Sequence, residues 1–216
     1  MYQYQQPQSA LAVQTGSLLG QVLGITGVGF LITAATAYLA QGVPYGVALI
    51  AMLAGFGFLI AINLTRANGG LSLTLFYIFT AIEGVALGPV IANYVRVDGP
   101  SVVANAAATT GLGMLTLAAI VALTSFDFRK LSGYAYAALM VLVVVGIASL
   151  FWNFLHPLTY SWLTLGVFTL LVLVDFARIR AGGEGRSAVQ LATSIYLDAI
   201  NIFLALLRIF GGRGRD

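Results

Sequence analysis

The chain has 216 residues, of which 60% are hydrophobic and only 8% are charged, with ten Lys or Arg and seven Asp or Glu. Soluble domains carry charge on about a quarter of their residues, so this composition excludes an ordinary water-soluble fold. The absence of cysteine excludes disulfides, thiolate chemistry and zinc sites built on cysteine. The single histidine, His156, excludes any site that needs two. The net charge of +3 reflects arginines in loops beside a membrane, so we expect no nucleic-acid partner.

Seven apolar segments are long enough to cross a bilayer, since about 20 helical residues span its hydrocarbon core. Gly, Pro, Asn and charged residues fill the breaks between them, as expected where helices end. The sequence therefore predicts an all-α membrane protein, a bundle of seven transmembrane helices that forms one domain over residues 16–210. The predicted spans are Leu18–Leu39, Tyr45–Leu64, Leu71–Val95, Val102–Phe126, Tyr134–Phe154, Leu158–Phe176 and Ala188–Phe210.

The two ends of the chain differ from the apolar segments. Residues 1–15 are rich in Gln and carry no charged side chain, so we predict a disordered tail. A cleaved signal peptide would begin with a basic region, which is absent. Residues 211–216 form a short C-terminal tail after the seventh span.

The arginines and lysines indicate an orientation. With seven crossings, the second, fourth and sixth loops, on the side of the N-terminus, carry six of them against four on the other side. The positive-inside rule therefore favours these loops as cytoplasmic. If the seventh segment were re-entrant instead, the count of Lys and Arg would become nine on that side against one on the other. The sequence therefore does not decide on which side the C-terminus lies.

Glycines and alanines are dense inside the predicted spans. Gly24, Gly27, Gly29, Gly55 and Gly57 are examples. Membrane helices have no hydrophobic force to hold them together, so close backbone approach through small residues is a main way to pack them. We expect all of these glycines to serve helix packing.

Three of the seven acids lie inside apolar spans: Glu83, Asp175 and Asp198. A carboxylate at the depth of a helix centre costs roughly 2.5 to 3.5 kcal/mol, so it needs a partner, a cavity or a proton. Polar and small residues around Asp198 recur at helical spacing and form one stripe that must face other helices or water. We therefore expect the seventh helix to be central, surrounded by the other six. The stripe consists of Gln190, Ser194, Asp198, Asn201, Ala205 and Arg208.

Asp175 near the end of the sixth span has two interpretations. It is an interfacial acid paired with Arg178, three residues later, or it faces Asp198 across the hairpin of the last two helices. At 1.5 Å per residue, the two aspartates lie about 9 Å and about 16 Å below the connecting loop. Helix tilt bridges such a difference, so the geometry permits the pair without requiring it.

Glu83, Arg66 and His156 also have alternative roles. Glu83 precedes Gly84, Gly88 and a helix-perturbing proline, and is either a hydrogen-bonded acid at a helix crossing or a pore-lining, proton-carrying group. Arg66 at the end of the second span has the default role of a snorkelling anchor. We expect His156 to be interfacial.

These residues together resemble the Bax inhibitor-1 family, also called the transmembrane Bax inhibitor motif family, in its prokaryotic form. The most specific match is Ser194–Phe203, which is similar to the family pattern Leu-Tyr-Leu-Asp-x-Ile-Asn-Leu-Phe. The other matching pieces are Arg66, Phe79–Pro89, Leu173–Phe176 and Leu206–Arg208.

The resemblance implies six helices wrapped around the last and a calcium leak regulated by pH through two aspartates. Those aspartates match Asp175 and Asp198, and Arg66 matches the arginine that contacts the pair in the family. The implied location is the plasma (inner) membrane of a prokaryote. The implied partners are the lipid bilayer, Ca²⁺ and H⁺, and a monomer is compatible with the sequence.

Both arguments reach the same pair of aspartates and predict a switch. Two carboxylates held close in a low-dielectric site cannot both ionise cheaply, so they share a proton and titrate in coupled steps. Loss of that proton makes them repel, redistributes Arg66 and opens the pore. Asp175 and Asp198 are also the predicted oxygen ligands of Ca²⁺, with Asn201 or water completing a loose site. Ser194, Asn201 and Glu83 are the predicted pathway residues, and Ca²⁺ is a transported ion rather than a cofactor.

Two other classes of protein stay open and one is not expected. A proton-coupled cation exchanger would also use buried carboxylates, and a non-transporting membrane interaction protein would use them for stability alone. We expect no enzyme, because no zinc motif of the form His-Glu-x-x-His and no Gly-x-Ser-Gly serine motif occurs. A retinal protein needs a lysine in a span, whereas the only lysine, Lys130, lies in a loop.

Overall fold

The computed structural model of the chain describes residues 8–149, 151–152 and 155–211. This part is built from helices, and seven of them are long and apolar enough to cross a membrane, as predicted. A short 3-10 helix, Phe128–Leu131, precedes the fifth. The seven α-helices are α1 (Gln8–Leu39), α2 (Tyr45–Leu64), α3 (Gly69–Asp98), α4 (Pro100–Leu123), α5 (Ser132–Ala148), α6 (Pro157–Arg180) and α7 (Ala188–Gly211).

The two largest differences from the predicted helix ends lie at the start of the first helix and at the end of the fifth. The first helix begins at Gln8, so residues 8–15 are helical where we predicted a disordered tail, because Gln, Ala and Leu there favour a helix. Residues 1–7 and 212–216 lie outside the described residues. The fifth helix ends at Ala148, short of the predicted Phe154. The seventh is one continuous helix of 24 residues, which favours a crossing over a re-entrant segment.

α7 is the most buried helix of the bundle. α1, α3, α4 and α6 all pack against it, and they also contact one another in the order α1–α3–α4–α6–α1. These four helices therefore form a closed ring around α7. α2 packs on the outside of this ring against α3, and α5 packs on the outside against α6. The predicted central position of the seventh helix is confirmed, with an inner ring of four helices and two helices outside.

The aromatic side chain of Tyr196 anchors α7 to α1 and α3. It is completely buried and lies 5.2 Å from the ring of Phe30 and 5.6 and 5.7 Å from the rings of Phe76 and Phe79. Its hydroxyl is 2.7 Å from the Thr33 hydroxyl, which also lies 2.9 Å from the Thr80 carbonyl oxygen. A buried tyrosine needs such a partner for its hydroxyl, so this network fixes the rotation of α7.

Glycines pack α3 closely against α1, as predicted for Gly84 and Gly88. A Cβ atom at Gly88 would lie 2.8 Å from the Ala40 carbonyl group, and one at Gly84 would overlap the Thr36 hydroxyl. At Gly24, Gly27 and Gly57, by contrast, a Cβ would meet no described atom within 4 Å. The prediction that all the glycines pack helices is therefore wrong for these three, because they lie on faces that no neighbouring helix covers.

The last turn of α6 is fastened to the end of α4 by Arg180. Its guanidinium donates hydrogen bonds to the carbonyl oxygens of Val121, Thr124 (2.7 Å) and Phe126 (2.9 Å). These carbonyls lie at the end of α4 or just after it, where no further helical turn supplies a donor. Arg180 therefore caps α4 and positions the loop end of α6.

The α1–α3 crossing yields a test by substitution. We expect Gly88→Ala to destabilise the protein by about 1 to 3 kcal/mol, the usual cost of overpacking, because the backbone of α1 leaves no room for a methyl group. The measurement is reversible unfolding in detergent, followed by circular dichroism.

Gly57→Ala is the matched control, because the space beside Gly57 is open. It should leave the free energy of unfolding unchanged or raise it slightly, since alanine favours a helix. Equal destabilisation by both substitutions would contradict the packing assigned to Gly88.

Candidate functional site

The loop end of α6 holds a buried ion pair. Asp175 and Arg178 are only 3% and 6% exposed, and the Arg178 Nη1 donates a hydrogen bond of 2.8 Å to the Asp175 Oδ1. The same nitrogen lies 2.7 Å from the Tyr136 hydroxyl oxygen, and the guanidinium carbon lies 5.3 Å from the centre of the Tyr136 ring. Arg178 is therefore held by α6 itself and by α5. The local pair with Arg178, one of the two interpretations of Asp175, is present.

Asp198 lies on α7 close enough to this pair to interact electrostatically with both Asp175 and Arg178. Its side chain is 5% exposed, and the Oδ2 atom has no hydrogen-bond partner among the described residues. Asp198 is therefore within electrostatic range of Asp175, and direct pairing of the two carboxyl groups stays a prediction. We call Asp175, Arg178 and Asp198 the charge cluster. With both acids ionised, two carboxylates face one guanidinium.

The arginine beside the aspartates is Arg178 rather than Arg66. Arg66 is exposed in the turn after α2 and forms no ion pair within 4.0 Å in the described part of the chain. It lies on the same side of the bundle as the α6–α7 loop, since the Gln190 amide donates a 3.3 Å hydrogen bond to the Asn63 side chain near the end of α2. Arg178 reaches Asp175 more directly because the two lie one turn apart on the same helix.

A chain of ion pairs leads from the charge cluster to the loop surface. The Glu184 Oε2 is 3.5 Å from the Arg178 Nε, and the Glu184 Oε1 is 3.0 Å from the Arg129 Nη1. Arg129 in turn holds Asp127 with two hydrogen bonds of 2.8 and 2.9 Å. The hydrogen bonds from Arg129 lower the pKa of Asp127 to about 2. Because Asp127 stays ionised above that pH, this pair persists throughout the physiological range.

Sequence reasoning missed Glu184, Arg129, Asp127 and Tyr136. Arg129 and Glu184 are separated by 55 positions, and their contact depends on how two loops fold over one another. The three-residue spacing of Asp175 and Arg178 is the signal that was available, and it pointed to a local pair.

A cavity of about 210 Å³ opens between α5, α6 and α7 on the other side of the charge cluster. Asn201, part of its lining, lies one turn from Asp198 on α7, so the cavity ends next to the cluster. The Asn201 amide donates to the Leu197 carbonyl at 2.8 Å, which orients the side chain. The lining consists of Leu139, Leu142, Val143, Tyr160, Thr164, Phe168, Asn201, Leu204, Ala205 and Arg208.

The remaining predicted residues lie around this region. Ser194 is half-buried on α7, one turn from Asp198 on the side of the α6–α7 loop. Glu83 is half-buried where α3 meets α2: a Cβ atom at Gly55 would be 3.6 Å from its Oε2. Glu83 therefore belongs to the α2–α3 contact. His156 caps the start of α6 by accepting a 3.3 Å hydrogen bond from the backbone of Leu158.

The donor set is suited to loose binding of a cation. No group of three or more His, Cys, Asp or Glu side chains converges among the described residues. Asp175 and Asp198 supply carboxylate oxygens, which hard cations such as Ca²⁺ prefer. Two carboxylates beside an arginine favour weak, reversible occupancy over a tight metal site.

Comparison with known proteins places these features in a family. The family model described as "Inhibitor of apoptosis-promoting Bax1" matches residues 15–215. An uncharacterized membrane protein of Vibrio cholerae is 32% identical over 82% of this chain and 80% of its own length. An uncharacterized protein of Pseudomonas aeruginosa is 30% identical over 99% and 98% of the two chains.

A third relative carries a functional name. The "Modulator of FtsH protease YccA" of Escherichia coli is 29% identical over 78% of this chain and 77% of its own. A protein named "Inner membrane protein YccA" in a second Escherichia coli strain is also 29% identical, over 78% of this chain and 77% of its own. The seven spans and these relatives together identify an integral protein of the bacterial inner membrane. The chain belongs to the Bax inhibitor-1/YccA family.

Proposed function

We propose that this protein is a calcium leak channel whose opening is controlled by protonation of Asp175 and Asp198. The observation that carries the proposal is the Asp198 Oδ2, which is buried inside a membrane-spanning helix without a hydrogen-bond partner in the described part of the chain. An unsatisfied carboxylate oxygen at such a place is costly unless it holds a proton or a cation. Alternate occupancy by H⁺ and by a cation is the property that a proton-controlled pore requires.

The cavity provides one half of the proposed path. Its polar lining consists of Tyr160, Thr164, Asn201 and the exposed Arg208, and it approaches Asp198 from the side of the α5–α6 connection. Arg178 stands at the other end of the cluster, between Asp175 and the α6–α7 loop. In the closed state, therefore, a cation that enters through the cavity meets a fixed positive charge at the cluster.

The proposed switch depends on charge balance at the cluster. When one proton is shared, Asp175 and Asp198 attract each other and α6 stays against α7. When that proton is lost, the two carboxylates repel and Arg178 neutralises only one of them. Parting of α6 and α7 at this end then relieves the repulsion and admits Ca²⁺. Arg178 thus takes the role that the family resemblance assigned to Arg66.

Flux measurements on the two aspartates test the switch. We expect Ca²⁺ flux through the purified protein in liposomes to rise from pH 6 to pH 8. In Asp175→Asn and Asp198→Asn, flux should lose most of this pH dependence, because an amide neither gains nor loses a proton. The measurement uses a calcium indicator inside the vesicles.

The same assay separates the proposal from its rivals. Absence of Ca²⁺ flux in the parent protein at every pH would rule out the channel. Flux that requires an opposing proton gradient would identify a proton-coupled exchanger instead. We propose no enzymatic activity and no resident cofactor.

The cavity yields a second prediction. Asn201→Leu should reduce Ca²⁺ flux about tenfold or more without moving its pH midpoint, because an apolar group replaces a polar lining group beside Asp198 while both aspartates remain. Thr116→Val is the matched control, since Thr116 is exposed on α4 and its hydroxyl bonds only to the Leu112 carbonyl of its own helix. Equal loss of flux in both variants would mean that the cavity is not the path.

A second candidate function is modulation of a membrane protease, which the name of the Escherichia coli relative favours. In that case, the aspartates would serve stability, and the protein would act through a protein partner. Co-purification with FtsH that survives a double Asp175→Asn, Asp198→Asn substitution would support this function. Loss of the complex in the double variant would connect it to the charge cluster.

A further inference from the structure

We propose that Glu184 is a positioning residue that latches Arg178 over the loop-side end of the charge cluster. This inference rests on the proposed function, because it assigns the latch a role in closing the cation path. The α6–α7 loop that carries Glu184 contributed nothing to the predicted site, yet its carboxylate contacts two arginines from different elements.

The first observation is that different nitrogen atoms of Arg178 contact different partners. Its Nη1 is used by Asp175 and Tyr136, whereas the Nε has no hydrogen-bond partner in the described part of the chain and lies 3.5 Å from the Glu184 Oε2. The guanidinium is therefore held on its inner side by hydrogen bonds and on its outer side by charge alone.

The second observation is the backbone of the loop. Gly182, Gly183, Glu184 and Gly185 have φ angles of 82°, 88°, 52° and 77°, all in the left-handed region. For Glu184 this conformation is strained, since it is the one residue of the four that carries a Cβ atom. The Gly183 amide donates a 2.8 Å hydrogen bond to the Arg178 carbonyl, so the loop folds back onto the turn that carries the arginine. The contacts of the Glu184 side chain compensate for this strained backbone.

The third observation is that Glu184 is itself held from outside. Arg129 of the 3-10 helix binds its Oε1 at 3.0 Å, and Asp127 fixes Arg129 through two hydrogen bonds. The charged groups that face Glu184 are thus Arg129 and Arg178, with Asp127 and Asp175 behind them. Together they connect the α4–α5 connection to the charge cluster.

The latch helps to keep the proposed cation path closed. Arg178 lies between Asp175 and the loop surface, so it presents a positive charge at the loop end of the path. Glu184 keeps it there by attraction from the surface side. Without that attraction, Arg178 moves more freely and the closed state loses part of its advantage over the open one.

Glu184→Gln tests the latch. We expect Ca²⁺ flux at pH 7 to rise about two- to fivefold, the range that a half-exposed ion pair supports, and the pH midpoint of flux to fall. Glu184→Asp keeps the charge and serves as the conservative variant, which should recover part of the parental behaviour. Arg129→Gln should give a smaller change in the same direction, because Glu184 loses its outer partner but keeps its charge beside Arg178.

A distance measurement makes the latch testable without flux. Because the chain contains no cysteine, spin labels can be placed at Tyr134→Cys and Ala181→Cys, both exposed positions on the two sides of the latch. We expect a narrow distance distribution in the parent and a broader one after Glu184→Gln.

The combined outcomes separate the two proposals. Unchanged flux together with an unchanged distance distribution in Glu184→Gln would overturn the latch. A broadened distribution in a protein that passes no Ca²⁺ would support the latch as a structural device and reject the channel. A normal melting temperature of the variant in detergent shows that the fold is intact in either case.

Discussion

The charge of Arg178 is the element on which the rest of the site depends. Burying a guanidinium that is only 6% exposed costs a large desolvation free energy. The interactions that offset it come from Asp175 on α6, Tyr136 on α5 and Glu184 in the α6–α7 loop. Without this guanidinium, Asp175 and Asp198 would be two uncompensated buried acids. The arginine therefore makes their burial possible. The carboxylates of Asp175, Asp198 and Glu184 compete for its one guanidinium, so a small change in charge alters which of them it pairs with.

The scaffold around this cluster is rigid where the site requires it. Tyr196 locks the rotation of α7 through its hydroxyl contact with Thr33 and through three phenylalanine rings, and Gly88 brings α3 against α1. These contacts lie on the side of α7 away from the cavity. One side of α7 is thus fixed by dense packing. The other side carries Asn201, which lines the cavity, and Asp198, which lies beside the Asp175–Arg178 ion pair. Movement at the cluster need not disturb the packing of α7.

Sequence patterns predicted the architecture and the two aspartates because both follow from local physics. Apolar length defines the spans, and helical spacing places Asp198 among polar neighbours on the central helix. The same patterns assigned the wrong surroundings to Gly24 and Gly27, and the family resemblance placed Arg66 beside the aspartates where the structure has Arg178. Which faces of a helix are covered, and which arginine reaches a given acid, depends on tertiary packing. The contact of Glu184 with Arg129 depends on a loop conformation that no periodicity encodes.

The proposed channel is approached from opposite sides of the membrane at the two ends of the charge cluster. The cavity opens towards the α5–α6 connection, whereas Arg178 and Glu184 face the α2–α3, α4–α5 and α6–α7 connections, the arginine-rich side that the positive-inside rule assigns to the cytoplasm. In the proposed channel, a cation from outside would reach Asp198 through the cavity, and a cytoplasmic proton would reach Asp175 only past the Glu184–Arg178 contact. Because Asp127 and Arg129 do not titrate between pH 6 and 8, that contact is held constant by its outer partner. In the proposed switch, the pH response therefore belongs to the buried carboxylates, and the proposed latch sets the pH at which they respond.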